Sequence, residues 1–165
     1  MTDSHASQST EPTIPAAAPP VDQVGRQPNT MLGVLAAIGF GLVAAGVYAV
    51  VAVITDREIG YLAVLIGVAV GWGFTIVGKV KNLALGFVAA VIAAIMFVVA
   101  LGFAAAGFIS GEPGETFFTG LDFVTREIAL LLQIYFDEGF LAYVFLLLAV
   151  APAFVIASGI RDKEE

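Results

Sequence analysis

Between residues 31 and 54 the chain carries no charged side chain, and residues 59–77, 83–109 and 140–160 repeat that feature. Few folds accept four such runs. At about 1.5 Å per helical residue, the first exceeds the ~30 Å hydrocarbon core of a bilayer and can cross it with some tilt. It is also longer than the ~7–15 residues of a signal-peptide core. Closed β-barrels do not fit, because the runs lack period-two alternation and are about twice the length of a barrel strand. The sequence therefore predicts an all-α integral membrane protein, a four-helix bundle whose first partner is the lipid bilayer.

Composition narrows the function classes. Charged residues make up 13% of the chain, against about 25% in soluble domains that must cover their surface. A net charge of −7 argues against a nucleic-acid partner. With no cysteine, a disulfide framework, a thiol nucleophile and a Cys-ligated zinc are excluded. The single histidine, His5, lies in a polar stretch and cannot form a histidine metal site alone. No metal or cofactor site is predicted.

Residues 1–30 form a separate region. They hold five of the seven prolines, with Ser, Thr and Gln, and show no apolar periodicity. Such a segment buries too little apolar surface to offset its ordering entropy and reads as a disordered tail. It lacks the basic region directly before the apolar run that a secretory signal carries. Residues 161–165 read as a short charged tail in water.

Orientation follows from basic residues. Four spans place both termini and the loop after the second span on one side. That side receives Arg26, Lys79, Lys81, Arg161 and Lys163, while the other receives only Arg57 and Arg126. The imbalance predicts cytoplasmic termini, with Lys79, Lys81, Arg161 and Lys163 as the topology determinants.

The connection before the last span has its own pattern. Phe117, Leu121, Val124, Ile128, Leu131 and Tyr135 recur at spacings of four and three, which predicts one amphipathic helix over residues 116–136. Thr119 and Asp122 resemble a capping box, and Asp122 with Arg126 form an i,i+4 pair. The polar side is acidic, so anionic lipid does not hold the helix in the interface. Phe117, Phe118, Phe123, Tyr135 and Phe136 would anchor it by apolar burial. A cap over the bundle mouth, a partner-docking face and a short membrane-dipping segment all fit this pattern.

Ionisable groups within lipid mark function, and the four runs contain none. Proton-coupled antiport needs a carboxylate within a span. Ser158 has no intramembrane His or Lys to activate it as a nucleophile, and no Asp pair lies within the runs. Asp56, Arg57, Glu58, Asp137 and Glu138 gather at the outer waterline, where any polytopic protein carries charge. The chain is therefore expected not to be an enzyme.

Packing information remains. Gly60, Gly67 and Gly71 share a face of the second span, and Gly67 and Gly71 form a GxxxG pair. Gly86, Ala90 and Ala94 recur every four residues in the third. Small residues let backbones approach closely, which drives helix association in lipid. Packing within one bundle is the first use of these faces, and a homo-oligomeric or partner interface the second.

Two stretches carry a resemblance. The run from Glu58 through Gly60, Tyr61 and Ile66 to Gly67 and Gly71, and the run from Glu138, Gly139 and Phe140 to Ala151, are similar to segments of small uncharacterised bacterial four-helix integral membrane proteins. Where those proteins carry a Gly-rich, Arg-bearing loop, this chain has Gly78-Lys79-Val80-Lys81-Asn82. The resemblance implies a bacterial inner-membrane location and no catalytic residue. A non-enzymatic accessory or scaffolding component is the expected function, and a transporter or channel subunit formed on oligomerisation the alternative.

Overall fold

The computed structural model describes residues 29–56, 60–79, 81–137 and 139–160. The tail over residues 1–28, Arg57, Glu58, Glu138, Arg161 and Lys163 lie outside the described residues. The described residues form helices α1 (Thr30–Thr55), α2 (Gly60–Val77), α3 (Leu83–Ile109), α4 (Phe117–Arg126), α5 (Ile128–Asp137) and α6 (Phe140–Ser158), with no strand among them. α1, α2, α3 and α6 are long and apolar enough to cross a membrane. The chain is a multi-pass membrane protein built as an all-α bundle.

Local chemistry sets the helix ends. The Asn29 side chain accepts a hydrogen bond from the Leu32 amide at 3.2 Å, and Asn82 accepts one from Ala84 at 3.2 Å. Each relieves an amide that the first turn of a helix leaves unpaired. α6 stops at Ser158, two residues short of the expected end, where Gly159 takes a left-handed conformation at φ 67°. Pro152 lies inside α6, which continues through it. α2 is composite: it opens with a 3₁₀ turn, Gly60–Leu62, and closes with a π segment, Gly73–Val77.

The four long helices form a ring in the order α1, α2, α6, α3. α1 runs parallel to α3, and α2 parallel to α6. At the end where α1 and α3 begin (the inner end, as against the opposite, outer end) the helices finish level, because the Asn29 amide donates to Gly78 O at 3.1 Å and the Asn82 amide to Ala157 O at 3.2 Å. The connection between α2 and α3 is thus bonded to both remaining helices. The outer end is stepped. α1 and α3 have 26 and 27 residues against 18 and 19 for α2 and α6, so the long pair projects roughly 12 Å further.

Alanine dominates the core. Its largest fully buried side chains are Tyr48, Phe74, Phe97, Ile66 and Val70. Large apolar residues meanwhile face outward, among them Val43 and Ile54 at 68% and 77% exposure. In water such a surface would drive association, whereas lipid solvates it.

α4 and α5 correct two expectations. The single amphipathic helix over 116–136 is interrupted at Glu127, whose φ −107° and ψ 23° leave the helical region. The reason is that its two halves pack differently: α4 buries Gly120 and Val124 on α3, while α5 directs Leu131 and Tyr135 toward the bundle core. The cap is also Thr116 rather than Thr119, with the Thr116 hydroxyl oxygen accepting from the Thr119 amide at 3.3 Å. Thr119 is left to share a hydroxyl contact with Thr116 at 2.9 Å.

Candidate functional site

At the α2–α6 seam two helix backbones come into direct contact. Gly67 lies against the Ala149 carbonyl and beside the Ala153 amide nitrogen, so a Cβ there would overlap backbone. Gly60 faces the Phe145 ring, and a Cβ at Gly71 would meet Ile156 Cβ at 2.8 Å. These three glycines therefore all serve a neighbour within the same chain. Lipid offers no hydrophobic drive for helix association, so such backbone contact, including Cα–H···O approach, holds the pair together.

α3 meets α6 through Gly86, where a Cβ would lie 2.9 Å from Ser158 Cβ and 3.1 Å from Phe154 Cδ2. Ala90 and Ala94 are only half-buried. The buried line of α3 instead follows Gly86, Ala89, Ala93, Ala100 and Ala104. An α-helix turns every 3.6 residues, so a strict four-residue row drifts off a face that mixed steps of three and four retain.

At the inner end, Lys79 is exposed with a left-handed backbone at φ 52°. A Cβ built at Gly159 would lie 3.0 Å from Lys81 Cβ, so the Lys81 stem rests against the C-terminal end of α6. A cation there complements the negative end of the helix dipole. Arg161 and Lys163 lie outside the described residues.

The outer end is organised by aromatic rings that the sequence did not single out as a group. Tyr48 of α1 packs edge-on against Phe97 of α3 at 6.4 Å, and Phe97 against Tyr135 of α5 at 6.1 Å. The file continues through Phe136 at 5.6 Å to Tyr143 of α6 at 5.1 Å. It runs from the buried core to the lipid-facing surface. The hydroxyl oxygens of Tyr48 and Tyr135 are both buried. Sequence spacing links Tyr135 to its own helix face, but nothing in it pairs α5 with Phe97.

No protein-family model, curated protein or solved structure matches the chain.

Two surface features remain. α1 and α2 enclose a lipid-facing groove of about 430 Å³, lined by Phe40, Val43, Ala44, Val47, Leu65, Ala69 and Trp72, with no polar lining. On α1, Gly39 and Gly46 have open space where a Cβ would stand. They lie one heptad apart on one face. Among the described residues, no cluster of His, Cys, Asp and Glu could hold a metal ion.

Proposed function

We propose that this chain is a non-enzymatic protein of a bacterial inner membrane, with both termini in the cytoplasm, that packs against membrane partners or a second copy of itself as an accessory or scaffolding component. The observation that carries this reading is the groove between α1 and α2. It is wholly apolar and lies at membrane depth, so it accepts side chains of another transmembrane helix without requiring polar groups to be desolvated. Gly39 and Gly46 support the same use, because a neighbouring backbone can approach where no Cβ projects. Gly60, Gly67 and Gly71 do not compete for this role, since α6 already occupies them.

A second reading, a transporter or channel subunit whose pathway forms on oligomerisation, draws on the buried hydroxyls of Tyr48 and Tyr135 in the outer half of the bundle. Purification at native abundance in mild detergent, with mass spectrometry and particle-mass determination, separates the two. Stoichiometric recovery of another membrane protein supports the accessory role. A homo-oligomer that conducts solute in liposomes supports the alternative. A monodisperse monomer with no companion overturns both. Orientation is tested by reporter fusions at residues 1 and 165, which are expected to report the cytoplasm at both ends.

A further inference from the structure

Beyond that reading, we infer that α5 is a hinged plug in the outer mouth of the bundle, carrying the Tyr135 ring into a seat beside Phe97 and withdrawing it by rotation about Gly139. The hinge is visible in the backbone. Gly139 has φ 116° and ψ −161°, a region open essentially to glycine alone, and no heavy atom lies within 4 Å of where its Cβ would stand. At the opposite end of α5, Glu127 departs from helical geometry while its amide still bonds to Phe123 O at 3.0 Å. At one end Gly139 supplies the pivot, with its carbonyl oxygen accepting from the Ala142 amide at 3.3 Å, and at the other Glu127 is the tether.

Packing separates α5 from its neighbour. α4 and α5 have ten residues each, yet α4 buries Gly120 and Val124 whereas no residue of α5 is buried. α4 also approaches the α3 backbone, where a Cβ at Gly120 would lie 2.7 Å from the Ala106 carbonyl oxygen. Contacts of α5 with the core run instead through side chains, namely Leu131 and Tyr135. A segment with few buried contacts belongs to the low-stability end of a fold and opens before the rest.

The seat suits withdrawal. α1 and α6 stand on opposite corners of the ring without close packing, and the outer space is filled by Tyr48, Phe97 and Tyr135. Phe97 shares its helix face with Ala93, Ala100, Leu101 and Ala104, so small side chains flank its ring and Leu101 stands one turn further out. Phe136 and Tyr143 sit next to the pivot at a ring separation of 5.1 Å and provide a surface on which α5 can turn.

The test uses the full chain in phospholipid nanodiscs, with spin labels at Ile134→Cys and Ile54→Cys. Both positions are exposed, and the native chain has no cysteine to confuse labelling. Two distance populations are expected, and Tyr135→Ala should raise the ratio of long to short at least about tenfold. One narrow distribution that Tyr135→Ala leaves unchanged would overturn the plug. Hydrogen exchange on the unlabelled native chain is the independent measurement. α5 amides should exchange at least about tenfold faster than those of α4, and equal protection would overturn the inference.

Discussion

At the inner end, four helices finish level, the α2–α3 connection is hydrogen-bonded to α1 and α6, and Gly73 lies against the Ala37 backbone, with Gly67 resting on the Ala149 backbone at mid-span. At the outer end, two helices outrun the others, and the step is covered by α4 and α5 through aromatic rings and glycine approaches at Gly120 and Gly102. The first end is joined backbone to backbone, the second mostly side chain to side chain. In lipid this distinction sets rigidity, because apolar side chains gain little by exchanging acyl chains for one another. Backbone contacts also have no rotamer through which to relax. The inner bundle is thus expected to act as a rigid frame, and the outer cover as its adjustable part.

The largest test of that contrast is Gly67→Leu. The new side chain would point into the Ala149 carbonyl, where no flexible group can yield. Overpacking costs about 1–3 kcal/mol and more when the backbone must move, so a large fall in the unfolding midpoint is expected. Size-exclusion chromatography and denaturant unfolding read this directly. Gly71→Ala should be milder because it adds only a methyl group, yet not free of cost, since that methyl meets Ile156 Cβ at 2.8 Å, which no rotamer change moves. Equal stability of Gly67→Leu and the native chain would remove the rigid-frame side of the comparison.

Gly139→Ala comes next. There is room for its methyl group, so any loss reflects backbone strain alone, about 1–3 kcal/mol. The cost should fall on the α5–α6 junction rather than on the bundle. Hydrogen exchange should quicken over Ile128–Asp137 and leave α2 unchanged. Uniform acceleration across the protein would show that the outer cover and inner frame unfold together.

A smaller effect separates the inner caps from the seam. Asn82→Ala removes the side-chain acceptor for the Ala84 amide, a loss of about 1 kcal/mol. The Asn82 amide bond to Ala157 O is made by backbone and survives the substitution. A modest fall in the unfolding midpoint with an unaltered slope is therefore expected. A changed slope would mean that the cap organises the whole inner connection.

How much of this was legible in the sequence depends on the kind of contact. The spans were legible because an uncharged run has few alternatives in lipid, and α3 covers residues 83–109 as its composition implies. The glycine face of α2 was legible as a face, but its partner α6 was not, since Gly67 and Ala149 are far apart in the chain. Ala90 and Ala94 show the limit of fixed spacing: a row of fours drifts around a 3.6-residue helix, and both end half-buried. The division of residues 116–136 was hidden because Glu127 breaks no pattern in the apolar stripe. Only the position of α3 and the stepped ends require a turn there.

The smallest expected effect concerns the polar side of α4. Arg126 and Asp122 form an ion pair at 2.9 Å, four residues apart, with both side chains well exposed. Solvent screens such a pair, and the two chains lose rotamer freedom in making it, so it contributes only about 0.3–0.5 kcal/mol. Asp122→Asn should move the unfolding midpoint barely beyond measurement error at low salt and not at all at high salt. What fastens α4 is the approach of Gly120 to the Ala106 carbonyl, which this substitution does not touch. A salt-independent loss above about 1 kcal/mol, outside the range for exposed pairs, would mean that the polar face of α4 is covered in the membrane. That would make α4 a docking face and weaken the view of the outer end as a simple cover.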